Sequence, residues 1–345
     1  MPHEPLISVV MPVYNGASYL LDAVASIQSQ SMTDWELICV DDGSQDESGE
    51  MLDWFAGEDS RIRVQHQANT GIVGALNAGC ELARAPLLCR MDCDDVALPD
   101  RLKIQADYMA KNPHCVVVGA GILEIDSDSD PLSVSRLPLA HDDIVENLLT
   151  RRTGHFHPTT LIRADAFRAV AGYRSEYEWV EDHDLWLRLS QRGSLANLAD
   201  VLLCYRQHGG SICWNRSQQQ RQRMNQLLSE AYAVRGRAPS ADVLFSSRTR
   251  RSKAGPGKWA RAAAKGGYAE TMWKHLDLLN RSQASWPYKS RMNIEVLGRY
   301  LITRAKTLAG RGSSISVPSF DDCHHRWGSR KSLRSSEISG AKSAA

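Results

Sequence analysis

Residues 87–95, LLCRMDCDD, run a short apolar stretch into three carboxylates, Asp92, Asp94 and Asp95. Like charges so close in sequence repel, and each raises the others' pKa. An ordinary solvated turn would tolerate them, and so would a bound cation. Working outward, residues 35–44, WELICVDDGS, repeat the pattern: an apolar strand that ends on Asp41 and Asp42. Residues 6–13 form a third β-branched run, interrupted by Pro12 and followed by the turn Tyr14-Asn15-Gly16. Between these runs, helical spacing is expected from Ser18, over 48–56 and from Val73 to Ala83. Strand and helix alternating with short links predict an α/β domain with a largely parallel sheet. Ligands of such sheets bind beyond the carboxyl ends of the strands. Both acidic turns lie there, which favours a site for a cation or for ribose hydroxyls.

The bulk numbers agree with a soluble globular protein. Of 345 residues, 43% are hydrophobic and 23% charged, so a sizeable core is available. The N-terminal residues lack the pattern of a signal peptide. The longest apolar run, near Cys115–Leu123, is well below the ~20 residues of a membrane span. A cytoplasmic location is therefore expected. The eight cysteines contain no CxxC pair, which argues for buried free thiols rather than zinc or a disulfide framework. Charge is uneven: Arg216 to the end holds 25 basic and 8 acidic residues, whereas the first 215 hold 16 basic and 32 acidic. Such a basic segment reads as a solvated extension or as contact with an anionic membrane at its inner face. No nucleic-acid module accompanies it.

Further along, a helix is expected over Arg101–Lys111, then strands at Cys115–Gly119, Leu123–Asp126 and Val134–Pro138. A helix follows at Asp142–Thr150, a strand at His157–Arg163 and a helix at Asp165–Ala171 closed by Gly172. Residues 180–189 form a helix with Asp182 in its first turn, where a carboxylate is stabilised. A strand at Val201–Arg206 precedes Gln207-His208-Gly209-Gly210-Ser211. Beyond it, helices are expected at 216–235, 259–279 and 290–309, and a disordered tail at 311–345.

Four blocks in order carry a resemblance. They are ISVVMPVYNGASYLLDAVASIQSQSMTDWELICVDDGSQD, NTGIVGALNAGCELARAPLLCRMDCDD, HPTTLIRADAFRAVAGYR, and WVEDHDLWLRL with CYRQHGGS. Over about residues 6–215 the chain resembles the family 2 glycosyltransferases, inverting nucleotide-sugar enzymes of GT-A fold. The resemblance implies a GT-A catalytic domain at 1–215; the stretch at 216–310, read from its charge and helical pattern, is expected to be a helical basic extension. It implies that Asp42 meets the nucleotide base, with Pro12 and Tyr14 lining that pocket. Asp92 and Asp94 match the family's DxD, which would contact the ribose and a divalent cation, Mg²⁺ or Mn²⁺. Asp182 matches the catalytic base. His208 and Ser211 match, more weakly, a loop closing on the diphosphate. Glu181 and Asp184 compete with Asp182 for the base. His157, Trp179 and Glu181 are candidates for contact with a glycan or lipid-linked acceptor. His183 reads as a surface or groove histidine rather than a base, Arg188 as an ion-pair residue and Trp186 as core. A non-catalytic nucleotide- or glycan-binding protein and a nucleotidyltransferase are the rival readings. The second would carry a Gly-rich, basic phosphate loop that Tyr14-Asn15-Gly16 does not provide.

Overall fold

A computed structural model describes residues 4–208, 217–244 and 255–308. In its first part β1 (Ile7–Val13), α1 (Ala17–Gln28), β2 (Trp35–Asp41), α2 (Ser48–Glu58), β3 (Ile62–His66), α3 (Gly71–Leu82) and β4 (Leu87–Arg90) alternate strictly. Every residue of β1, β2 and β4 is buried, as strands covered on both faces must be. Alternation then sorts the side chains between two cores. Ile7, Val9, Met11, Leu37 and Cys39 point to one core with α1 and α2, while Val10, Ile38 and Val40 point to the other with α3. Ser8 and Glu36 fall on that second face. They bond each other at 2.7 Å, and Arg63 and Arg84 complete the carboxylate.

Pro12 fits inside β1 because β4 stops short of it. The last β1–β4 pair is Val10 with Arg90, and Met91 N donates to Val10 O. Pro12 faces the same side two residues later, where no partner strand needs its missing N–H.

The second part holds β5 (Val96–Ala97), α4 (Arg101–Lys111), β6 (Cys115–Ile125), β7 (Pro131–Ser135), α5 (His141–Leu149), β8 (Leu161–Arg163), α6 (Ala164–Ala169), α7 (Glu181–Leu189) and β9 (Ser194–Arg206). The sheet order is β3-β2-β1-β4-β8-β6-β9-β5, with β7 paired to β6. It is parallel from β3 through β4. Antiparallel pairing begins at β8, although β6 and β9 run parallel to each other. Two expected strands, 115–119 and 123–126, are one continuous β6. The expected strand 157–163 opens as a 3₁₀ turn at His157–Thr159, because Pro158 cannot donate to a ladder.

α8 (Ser217–Val234), α9 (Ala241–Leu244), α10 (Pro256–Gly266), α11 (Ala269–Arg281) and α12 (Trp286–Leu308) follow. α8 packs with the body: Leu227, Leu228 and Ala231 join the core that contains Trp186. The single helix expected at 259–279 is two, broken where Gly267 takes φ +82°. α10, α11 and α12 share a small core of their own around Leu132 of β7. Polar contacts reinforce this seat. Lys274 of α11 reaches Asp126, Asp128 and Asp130 at 2.8, 2.7 and 2.6 Å, and His275 Nε2 meets Asp126 at 2.8 Å. Burial opposes the charge of Asp126, but His275 and Lys274 outweigh it and hold the carboxyl below its usual range.

Leu132 is fully buried between β7 and these helices. Leu132→Ala should cost about 2–5 kcal/mol. Urea unfolding followed by circular dichroism checks this, and a loss below about 1 kcal/mol would show that the helices do not rest on Leu132.

Candidate functional site

The carboxyl ends of β1, β2 and β4 open on one rim, and of the expected site residues Pro12, Tyr14, Asp42, Asp92 and Asp94 lie at these strand ends. The loop after β1 is laced to the loop after β2. Asn15 sits at φ +52°, Gln45 N donates to its Oδ1 at 2.7 Å, and Gly16 N donates to Ser48 Oγ at 2.9 Å. Tyr14 stands between them, 48% exposed. Gly43 turns the DDGS segment at φ +76°, and a Cβ there would lie 3.0 Å from Asn69 N. Only glycine meets both demands cheaply.

Asp41 and Asp42 both carry structural hydrogen bonds. Asp41 accepts from Ser44 N at 3.0 Å and meets His66 Nδ1 at 2.9 Å. Asp42 is buried at the start of α3. Its Oδ1 accepts from Thr70 N and Gln67 Nε2, both at 2.8 Å, and its Oδ2 accepts from Gly71 N at 2.9 Å. A carboxylate offers about four acceptor positions, so Oδ2 retains capacity for one more donor.

Asp92, Asp94 and Asp95 each present an oxygen within 4.8 Å of the others. Their environments differ. Asp92 pairs with Arg90 at the end of β4. Burial lifts its pKa, Arg90 opposes that, and Asp94 adds to it. Asp94 meets His208 Nε2 at 2.8 Å, and the His208 ring lies against Tyr19. Asp95 is fully buried. Its Oδ1 accepts from Arg206 N at 2.8 Å, and its Oδ2 has no hydrogen-bond partner. Burial first, then Asp94 and Asp92, push its carboxyl well up. Ser211, expected beside His208, lies outside the described residues.

Two arginines missing from the sequence reading hold this loop. Arg206, at the end of β9, donates its Nε to Asp94 O at 2.8 Å. Its Nη1 reaches Ser129 Oγ at 2.8 Å and Asp126 O at 3.4 Å in the β6–β7 turn. Arg90 is buried; desolvation works against its charge, but Asp92 prevails and its pKa is raised. Arg90 also acts electrostatically on Glu181 and Tyr173, so it joins the β4 cluster to the start of α7. A basic residue inside an apolar run (LLCR) was the available signal.

At α7 the four polar residues of EDHD separate. Asp184 is fully buried and bound by Arg174 and Arg188, the latter at 2.6 Å. His183 points inward, Nε2 to Leu148 O at 2.7 Å, and burial lowers its pKa. Glu181 is buried with Oε2 unpartnered, and desolvation, then Asp182, pushes it up to about 8. Asp182 is partly exposed and caps its own turn, accepting from His183 N at 2.7 Å.

His157 Nε2 lies 2.8 Å from the Tyr173 hydroxyl, with its ring edge-on to Trp186. Burial drives its pKa well down, so the ring is neutral. Trp186 is core, as expected. Trp179 takes φ +71°, costly for a bulky residue. α8 holds it there: Gln220 Nε2 donates to Trp179 O at 2.9 Å, and the Arg223 guanidinium stacks 4.2 Å from the ring centroid. One face of Trp179 is thereby occupied.

The chain is similar to known proteins. The family model described as Glycosyl transferase family 2 matches residues 8–176. The amylovoran biosynthesis glycosyltransferase AmsE of Erwinia amylovora is 31% identical over 242 residues, 67% of this chain and 90% of AmsE. The O-antigen biosynthesis glycosyltransferase WbnJ of Escherichia coli is 30% identical over 210 residues, 60% of this chain and 81% of WbnJ. Among solved structures, S. aureus TarS 1–349 in complex with UDP-GlcNAc superposes with a TM-score of 0.54 at 15% identity, covering 91% of this chain and 94% of that one. The rim of acidic turns on a sheet of this order and the sequence relationships lead to one assignment: the chain belongs to glycosyl transferase family 2 and is a glycosyltransferase of GT-A fold.

Proposed function

We propose that the chain transfers a sugar, with inversion, from a UDP- or GDP-linked donor to a hydroxyl of a glycan or lipid-linked acceptor. The observation that carries this reading is the partition of carboxylates at α7. Asp184 is consumed by arginines and Glu181 is buried, which leaves Asp182 as the accessible carboxylate for the base. The names of AmsE and WbnJ, and the UDP-GlcNAc in the TarS structure, are consistent with a place in surface polysaccharide synthesis.

In this scheme the acceptor oxygen attacks the anomeric carbon from the side opposite the diphosphate. The bond to the phosphate oxygen breaks, and its electron pair leaves with the nucleoside diphosphate. Asp182 takes the acceptor proton as the new bond forms. The open capacity of Asp42 Oδ2 suits an N–H donor on the base, beside Pro12 and Tyr14. Asp92 and Asp94, with Asp95 and His208 adjacent, are the groups that would hold Mg²⁺ or Mn²⁺. The fit rests on converging oxygens within 4.8 Å and on the unpartnered, buried Asp95 Oδ2. Such a cation supplies Lewis-acid stabilisation of the departing diphosphate. On this reading Trp179, with His157 held by Tyr173 and with Glu181, would shape the acceptor side.

Asp182→Asn should lower turnover by about 10²–10⁴-fold. Donor affinity, measured by calorimetry, should stay within about threefold, since a base acts on the transition state rather than on donor binding. Turnover near wild type would move the base elsewhere.

Glu181 gives a pH test. An unfolded Glu titrates near about 4.3, and the buried one near about 8. Between those values the folded chain binds the extra proton, so wild-type stability falls as pH rises through that window. Glu181→Gln removes this loss. The variant's Tm minus the wild-type Tm should therefore become more positive from about pH 5 to about pH 8. A difference independent of pH would contradict a neutral Glu181.

A further inference from the structure

α12 is apolar on two opposite faces. Met292 and Val296 point inward and are fully buried in the small core on Leu132. On the other side Ile294, Leu301 and Ile302 stand out, 75%, 66% and 58% exposed. Seven and eight residues separate Leu301 and Ile302 from Ile294, so the three form one stripe about 10 Å or more along the axis. Isolated exposed apolar residues need no explanation, but an aligned stripe opposite a packed face does.

The charges around the stripe say what covers it. Arg291 lies on the same face, one turn before Ile294, and Arg304 and Lys306 are exposed at its far end. The only acidic residue of α12, Glu295, is paired with Arg261 and Arg299. Trp286, 78% exposed, stands at the start of the helix. Apolar side chains rimmed by Arg and Lys, with an indole at the end, are what an anionic bilayer interface accepts. The surrounding segment from Arg216 on has 25 basic against 8 acidic residues, which adds long-range attraction. Among the described residues, no helix is long and apolar enough to cross a membrane.

We propose that the outer face of α12, centred on Ile294, Leu301 and Ile302, lies on an anionic lipid surface and docks the enzyme there peripherally. The inference is independent of the catalytic roles proposed above, and its test uses no transfer assay. A lipid-linked acceptor would be met at that same surface.

Co-sedimentation of the full chain with vesicles of phosphatidylglycerol and phosphatidylcholine, and of phosphatidylcholine alone, reads the effect. The wild type should pellet with the anionic vesicles and much less with the neutral ones, and high salt should weaken the partitioning. The triple variant Ile294→Glu, Leu301→Glu, Ile302→Glu should partition about tenfold more weakly. All three positions are exposed, so its circular dichroism and Tm should match the wild type, and the pair Arg304→Glu, Lys306→Glu serves as an independent check that should also release the protein. Failure of the wild type to bind anionic vesicles, or equal binding by the triple variant, would overturn the proposal. So would a concentration-dependent dimer dissociated by the same apolar substitutions, which would give this face to a second copy of the chain.

Discussion

Three carboxylates held within 4.8 Å of one another repel, and the geometry of the rim at this end of the sheet depends on keeping them there. The backbone of the loop alone would spread. Arg90 grips it through Asp92, and Arg206 grips it through Asp94 O and the Asp95 carboxylate. Neither arginine stands by itself. Arg206 extends to the β6–β7 turn, and that turn is held from its other side by Lys274 and His275 of α11. A continuous line of hydrogen bonds and ion pairs thus joins the C-terminal helices to the acidic loop. The electrostatic cost of the cluster is distributed over three elements distant in sequence.

Arg90 also connects the two halves of the site. It lies at the last pair of β4 with β1, where the strands separate and the rim opens. From there its charge acts on Asp92 on one side and on Glu181 on the other. On the proposed reading, donor and acceptor would meet across this residue. α8 sets the opposite wall, because Gln220 and Arg223 keep Trp179 in its left-handed conformation just ahead of Glu181 and Asp182. Strain maintained by several partners commonly accompanies a functional position.

The alternating half of the fold was legible because each strand is a continuous β-branched run and each helix shows a 3.6-residue spacing. Arg101–Lys111 is found at its expected limits, and the rim of Asp42, Asp92 and Asp94 follows from strand ends alone. Beyond β4 the signals weaken. β6 continues through Gly119 and Gly121, which read as a break, and β5 is two residues long and set by contacts far away in sequence, with β9 and with Ser26 of α1. The split at Gly266-Gly267 shows in the sequence only as a glycine pair inside the expected helix at 259–279. Side-chain partnerships were the least legible. Nothing near Asp42 in sequence announces that Thr70 and Gly71 will occupy it, and nothing near Arg206 announces the turn at Asp126. Such contacts span tens of residues and exist only once the sheet has formed.

On the proposed reading the rim holds a nucleoside diphosphate through a cation seated on the acidic loop. The decisive measurement is calorimetric titration of UDP and GDP, in Mn²⁺ and in EDTA. One of them should bind only with the ion present, and Asp94→Asn should weaken that binding by at least about tenfold. Binding of equal strength in EDTA, or no binding of either nucleotide with Mn²⁺, would contradict it.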